Sequence, residues 1–144
     1  MVTKITVPTD ITEEQAIAVF RHFNENTGLF LHEHLLTEDS KCEKYEHTYI
    51  FGDEIICNAV INAMLENNVP VLGKEDFTNS LVEIVNSNRI QEFKKSLNED
   101  YEETFDMLFD EFINGNVTKD MVLDKINALG MKSLQEHDYK ILKS

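Results

Sequence analysis

The sequence predicts a mainly helical α+β domain: a short N-terminal strand and a β-hairpin packed on a buried central helix, followed by a C-terminal helical cluster. Three observations carry that expectation. Two short runs, VTKITV at 2–7 and YEHTYIF at 45–51, are β-branched or aromatic and fit strands. The stretch EIICNAVINAMLE, 54–66, is apolar over most of a helical circumference, which marks a hub touched by other elements on several sides. Beyond Pro70, apolar residues recur at helical spacing between Gly, Asn and Thr signals. At 144 residues, with no repeat, linker or low-complexity segment, the chain reads as one domain, 1–144.

Taken in order, Pro8 closes the first strand, and Thr12 with Gln15 makes a capping box for a helix. The apolar face of that helix is Ala16, Val19, Phe20 and Phe23, with Ile17 at its edge, and Gly28 suits the left-handed position that ends it. Residues 29–36, LFLHEHLL, read as either a strand or a short helix. If they pair with 45–51 across the TEDSKCEK loop, Phe30 faces Phe51, His32 faces Tyr49 and His34 faces His47. That register gathers aromatics and imidazoles on one face and Leu29, Leu31, Leu35 and Ile50 on the other, which favours the hairpin.

Gly52-Asp53 starts the hub helix and Asn67-Asn68-Val69-Pro70 ends it. Its polar residues Asn58, Asn62 and Glu66 fall on one narrow line. A solvated strip is the favoured reading, because an unpaired buried amide costs about 1–3 kcal/mol. Gly73 starts a third helix carrying Phe77, Leu81, Ile84 and Val85, broken at Asn86-Ser87-Asn88. Ile90, Phe93 and Leu97 continue a helical face, and Asn98 caps a helix over 99–114. Gly115-Asn116 turns the chain. Thr118 then caps a helix with Val122, Ile126 and Leu129 inward, closed by Gly130, and 131–142 form a short last helix or an extended tail.

Charge is the main compositional signal. The chain carries 27 acidic and 13 basic residues, a formal net charge of −14. Such a chain repels nucleic acid and anionic membrane surfaces and attracts basic partners; the plainer reading is solubility alone. Two cysteines, Cys42 and Cys57, with no CxxC, suit a reducing compartment. No signal-like segment opens the chain, and no apolar run approaches the roughly 20 residues of a membrane span. A cytoplasmic location is expected, the host cytoplasm if the source is viral. Abundant Asn, Lys and Ile with no Trp hint at an AT-rich genome, as in low-GC bacteria and their viruses.

The stretch EDYEETFDMLFDEFIN, 99–114, is the strongest functional lead. Tyr101, Phe105, Leu108, Phe109 and Phe112 make one helical face, and Glu99, Glu103, Asp106 and Asp110 gather on the opposite one. No Lys or Arg occurs between Lys95 and Lys119. Like charges four apart destabilise a helix by about 0.2–0.5 kcal/mol each, so the row calls for a reason. Carboxylates spaced by about 4.5–6 Å along the axis track a line of negative charge comparable to that of a nucleic-acid backbone. Met107, beside the acids, is an adaptable contact group. The plainer alternative is a solvated helix whose first acids favour the helix dipole, which leaves Asp110 and Glu111 without an explanation.

His32, His34, Cys42 and His47 are metal-capable but match no zinc spacing, so they are weak metal candidates and read better as a contact patch with Tyr45 and Tyr49. The isolated glycines make no GxGxxG or phosphate loop, no HExxH is present, and no serine has a nucleophile-elbow context. The expectation is therefore a non-enzymatic acidic domain, without a cofactor. It would bind a basic nucleic-acid-binding protein rather than nucleic acid or membrane, and inhibit or regulate it by occupying its nucleic-acid groove. The contact residues would be Glu99, Glu103, Asp106, Met107, Asp110, Tyr45 and Tyr49. Two alternatives stand beside it: a self-associating structural, assembly or adaptor protein, and a small metal-dependent hydrolase using the histidine hairpin.

Overall fold

The strand β1 (Val2–Pro8) organises the fold. It lies inside a four-stranded antiparallel sheet of order β2-β3-β1-β4, with β2 (Leu35–Thr37), β3 (Tyr45–Phe51) and β4 (Gly73–Asp76). The computed structural model describes residues 1–39, 44–97 and 102–143, with the backbone alone at Glu102, Glu103 and Phe105. The expected mainly helical α+β class is the one observed.

Because side chains alternate across a strand, the sheet feeds two cores. Ile5, Val7, Leu35 and Ile50 face one helical layer, α1 (Glu13–Thr27) and α2 (Glu54–Glu66), where Val19, Phe23, Val60 and Ala63 meet them. Val2, Leu36, Tyr49 and Phe51 face the other. That layer holds α3 (Thr78–Asn86), α4 (Ile90–Lys95), α5 (Glu102–Asn116), α6 (Lys119–Leu129) and α7 (Glu136–Lys143). Among the described residues no helix is long and apolar enough to cross a membrane.

Several local signals act as read. Thr12 and Gln15 form the capping box, Gly28 takes the left-handed conformation after α1, and Asp53 caps α2 by accepting the Ile56 N–H. Asn88 turns left-handed after α3, and Thr118 caps α6. Asn98 lies outside the described residues.

Other expectations are corrected. Residues 54–66 form the expected helix, but α1 and the sheet cover it along one side rather than on several. Asn58, Asn62 and Glu66 are solvated, as favoured above, but Ile55 is exposed too, at 78%. Residues 73–76 are a strand, not a helix start, because β1 offers them a free edge. The helix α5 runs through Gly115 and Asn116, and the chain turns only before Thr118. On α6 the exposed Leu129 yields its inward place to Lys125, while 136–143 settle as a helix.

The hairpin forms in a different register. Leu35 faces Ile50 rather than Glu46, a shift of four residues along β3, so Leu36 faces Tyr49 and Thr37 faces Thr48. The cause lies upstream, where Leu31 plugs the core and its N–H donates to Asn24 Oδ1 at 2.9 Å. Residues 31–33 wind into a short 3-10 helix, and only three residues remain for β2. An even shift preserves the faces, so Leu35 and Ile50 still share one side.

Candidate functional site

The geometry that matters is set by α5. Leu108, Phe109, Phe112 and Ile113 are buried, each contributing about 1.5–3 kcal/mol of apolar burial. Phe109 meets the rings of Phe51 at 5.8 Å and Phe93 at 6.0 Å, and Phe112 meets Phe51 at 6.3 Å. Anchored in this way, the helix turns Asp106, Met107, Asp110, Glu111 and Asn114 to solvent. Met107 is 44% exposed, as its place beside the acids implied. Glu103 lies in the helix with its backbone alone described, and Glu99 lies outside the described residues.

This outward strip is a ridge between two clefts. On one flank Asp106 and Asp110 line a cleft of about 240 Å³ with Lys94, His137 and Lys140. On the other, Glu111 lines a cleft of about 510 Å³ whose far side includes Glu33 and His34. The acidic row is not wholly uncompensated, for α4 brings Lys94 Nζ to 3.1 Å from Asp106 Oδ1. The Asp106 side chain is 66% exposed, so solvent screening holds this pair to about 0–1 kcal/mol. Asp110 and Glu111 continue the charge toward the helix end, where the last turn has no basic residue.

Of the two tyrosines expected at a contact surface, Tyr45 is exposed at the start of β3, whereas Tyr49 is in the core at 5% exposure. The Tyr49 ring lies 5.2 Å from that of Phe77, just before α3, and 5.1 Å from that of Phe93 on α4, so these rings cover the sheet there and remove it from any partner surface. Burial, reinforced by the carboxylates of Glu38 and Glu75, pushes its phenol up to about 12.

The histidines do not converge, because His32 lies in the 3-10 helix and His34 at its end, so neither stands in β2 beside His47. His32 is exposed beside Phe30, His34 Nδ1 contacts the Phe51 carbonyl oxygen at 3.2 Å, and His47 Nδ1 contacts Thr6 Oγ1 at 3.1 Å. Among the described residues no group of three His, Cys, Asp or Glu side chains is placed to hold a metal ion. Cys42 lies outside the described residues.

Sequence reasoning missed Glu33, which only the tertiary fold brings to α5. It also missed a buried polar knot behind the smaller cleft. There Lys125 Nζ donates to Asp138 Oδ2 at 2.7 Å and to Asn88 Oδ1, and Asn88 Nδ2 donates to the Ser133 carbonyl at 2.8 Å. A legible signal did exist, since Lys125 falls on the stripe of Val122 and Ile126. Compared with protein-family models, with curated proteins and with solved structures, the chain matches none.

Proposed function

We propose that this is a non-enzymatic acidic binding domain that inhibits or regulates a basic nucleic-acid-handling protein by placing the α5 ridge in its nucleic-acid groove. One observation carries the reading: Asp106, Met107, Asp110 and Glu111 stand together on a solvent-facing ridge held rigidly by the aromatic core beneath. The formal net charge of −14 would speed the approach to a basic surface and repel competing polyanions. Met107 and the apolar floors of the flanking clefts supply area that can be desolvated, where binding energy concentrates. Tyr45 is a further exposed aromatic, whereas Tyr49 has no part in the contact. A cytoplasmic setting, in a host cell if the chain is viral, is part of the proposal.

The test is capture on the immobilised chain from the source-cell lysate, beside a triple variant Asp106→Asn, Asp110→Asn, Glu111→Gln. A basic nucleic-acid enzyme retained by the native chain, lost from the variant, released by salt and displaced by DNA or RNA is the expected result. Equal retention by both chains, or a captured protein indifferent to nucleic acid, overturns the reading.

A second reading, self-association, is favoured by one observation. The outward side of α2 presents Ile55 and Leu65 to solvent around Asn58 and Asn62. Concentration-dependent mass by light scattering, persisting in high salt, would support it over the inhibitor reading.

A further inference from the structure

We infer that the cleft between α5 and the 3-10 helix at 31–33 receives an arginine side chain of the partner. This deepens the reading above and rests on it for the identity of the occupant as part of a basic protein. The cleft, of about 510 Å³, has a floor of Phe51, Ile56, Leu108 and Phe112. Glu33 and Glu111 line it from separate elements, and no lysine or arginine does so among the described residues. An apolar floor under carboxylates suits a side chain with an aliphatic stem and a cationic head. Phenylalanine rings favour a flat guanidinium over an ammonium, through stacking as well as charge.

The helix ends add a separate term. Gly115 and Asn116, the last residues of α5, line this cleft, so its negative dipole end is presented there with no basic residue in the last turn. The positive start of α2 also borders the cleft through Ile56, but it is already satisfied by the Asp53 carboxylate, which accepts the Ile56 N–H at 3.0 Å. Met1 lines the rim as well; the Asp76 carboxyl at the β4 edge is held low chiefly by its hydrogen bonds from Thr78, with the chain's N-terminal ammonium a smaller contributor. The two carboxylates and the end of α5 are the features of the cleft that favour a cation.

Gly115 lines the cleft with open space around it. A Cβ added there would meet nothing within 4 Å. A longer side chain at this position would obstruct the cleft while every carboxylate remains.

The experiment uses the full ¹⁵N-labelled chain and a single-arginine probe, N-acetyl-glycyl-arginyl-glycinamide, with its citrulline analogue as the uncharged control. Amide shifts at Gly52, Gly115 and Asn116 should saturate in roughly the millimolar range, as expected of one side chain without its parent surface. Citrulline should bind about tenfold more weakly, and so should the native probe to the double variant Glu33→Gln, Glu111→Gln. Gly115→Met should abolish the shifts while leaving the fold intact by circular dichroism. Equal binding of arginine and citrulline, shifts confined to the Asp106–Asp110 flank, or unchanged binding to Gly115→Met would overturn the inference. Because the probe is independent of the partner, such a failure would leave the capture test of the ridge standing. A failed capture would likewise leave the cleft's preference for arginine measured.

Discussion

Lys125 Nζ and Asp138 Oδ2 lie 2.7 Å apart with their side chains 2% and 0% exposed, joining α6 to α7 by an ion pair out of water. The Gln135 N–H donates to the same carboxylate oxygen at 2.9 Å. Removing one member leaves the other charge buried alone. Lys125→Met or Asp138→Leu should each destabilise the fold by about 3–5 kcal/mol, read from urea unfolding. The double variant should recover most of that loss, because an apolar pair of similar volume demands no desolvation of charge. A double variant as unstable as the sum of the singles would show that the pair is not coupled.

His137 gives the same corner a pH dependence. Its Nε2 lies 3.2 Å from Asp138 Oδ1, and among the described residues neither atom has a hydrogen-bond partner. Burial lowers its pKa below the ordinary 6.5, the nearby Lys125 lowers it further, and Asp138 and Asp110 oppose the shift. The unfolded chain therefore binds this proton more readily than the folded one. The contribution to stability is fully present above pH 6.5 and is lost as the pH falls through the lower folded value. His137→Gln should flatten that part of the stability profile. The difference in urea midpoint between native and variant, followed from neutral pH down through this window, is the measurement; a constant difference would refute the assignment.

At the alkaline end the sign reverses for Tyr49, an acid whose folded value is raised to about 12 from 10.0. Its contribution is intact below pH 10.0 and is lost as the pH rises toward 12. In an ultraviolet titration of the native fold, one phenol should ionise near pH 12 and should vanish in Tyr49→Phe. If that variant keeps the late step, the aromatic cage around Tyr49 is looser than described.

Two glycines should respond to alanine with opposite signs. Gly115 sits in the helical run of α5 with open space around it, so Gly115→Ala should stabilise by about 0.5–1 kcal/mol through helix propensity. Gly52 holds φ at +154°, and an added Cβ would come within 2.9 Å of the Ile56 side chain. Gly52→Ala should therefore destabilise by about 1–3 kcal/mol. Thermal unfolding of the two variants side by side reads both signs.

What was legible in the sequence were features decided within a few residues. The Thr12–Gln15 box, the Gly28 cap and the Thr118 cap depend on neighbours in the chain, and the 99–114 wheel already separated Phe109 and Phe112 from Asp106 and Asp110. What escaped needed a partner far along the chain. The anchoring of Leu31 by Asn24 winds 31–33 into a 3-10 helix, which shifts the β2–β3 register and takes His32 and His34 out of the strand. Burial of Tyr49 came from Phe77 and Phe93, which no local pattern ties to β3. The residue Lys94 compensates Asp106 from another helix, so the charge pattern of α5 alone overstated its isolation.

That compensation provides the sharpest test of the ridge. Lys94 holds Asp106 at 3.1 Å and sits within the flanking cleft, so it subtracts from the negative field a basic partner would meet. Lys94→Gln should strengthen partner binding, while Asp106→Asn should weaken it, each by a few-fold at low ionic strength. Folding stability should change by no more than about 1 kcal/mol for the loss of this exposed pair. Stopped-flow association with the captured partner separates the two effects, because steering acts mainly on the on-rate. Opposite shifts in on-rate that shrink together as salt is added would place the partner over this flank of α5. Shifts of the same sign would mean that the Lys94–Asp106 pair acts by fixing α4 against α5, and that the ridge's charge is not what the partner reads.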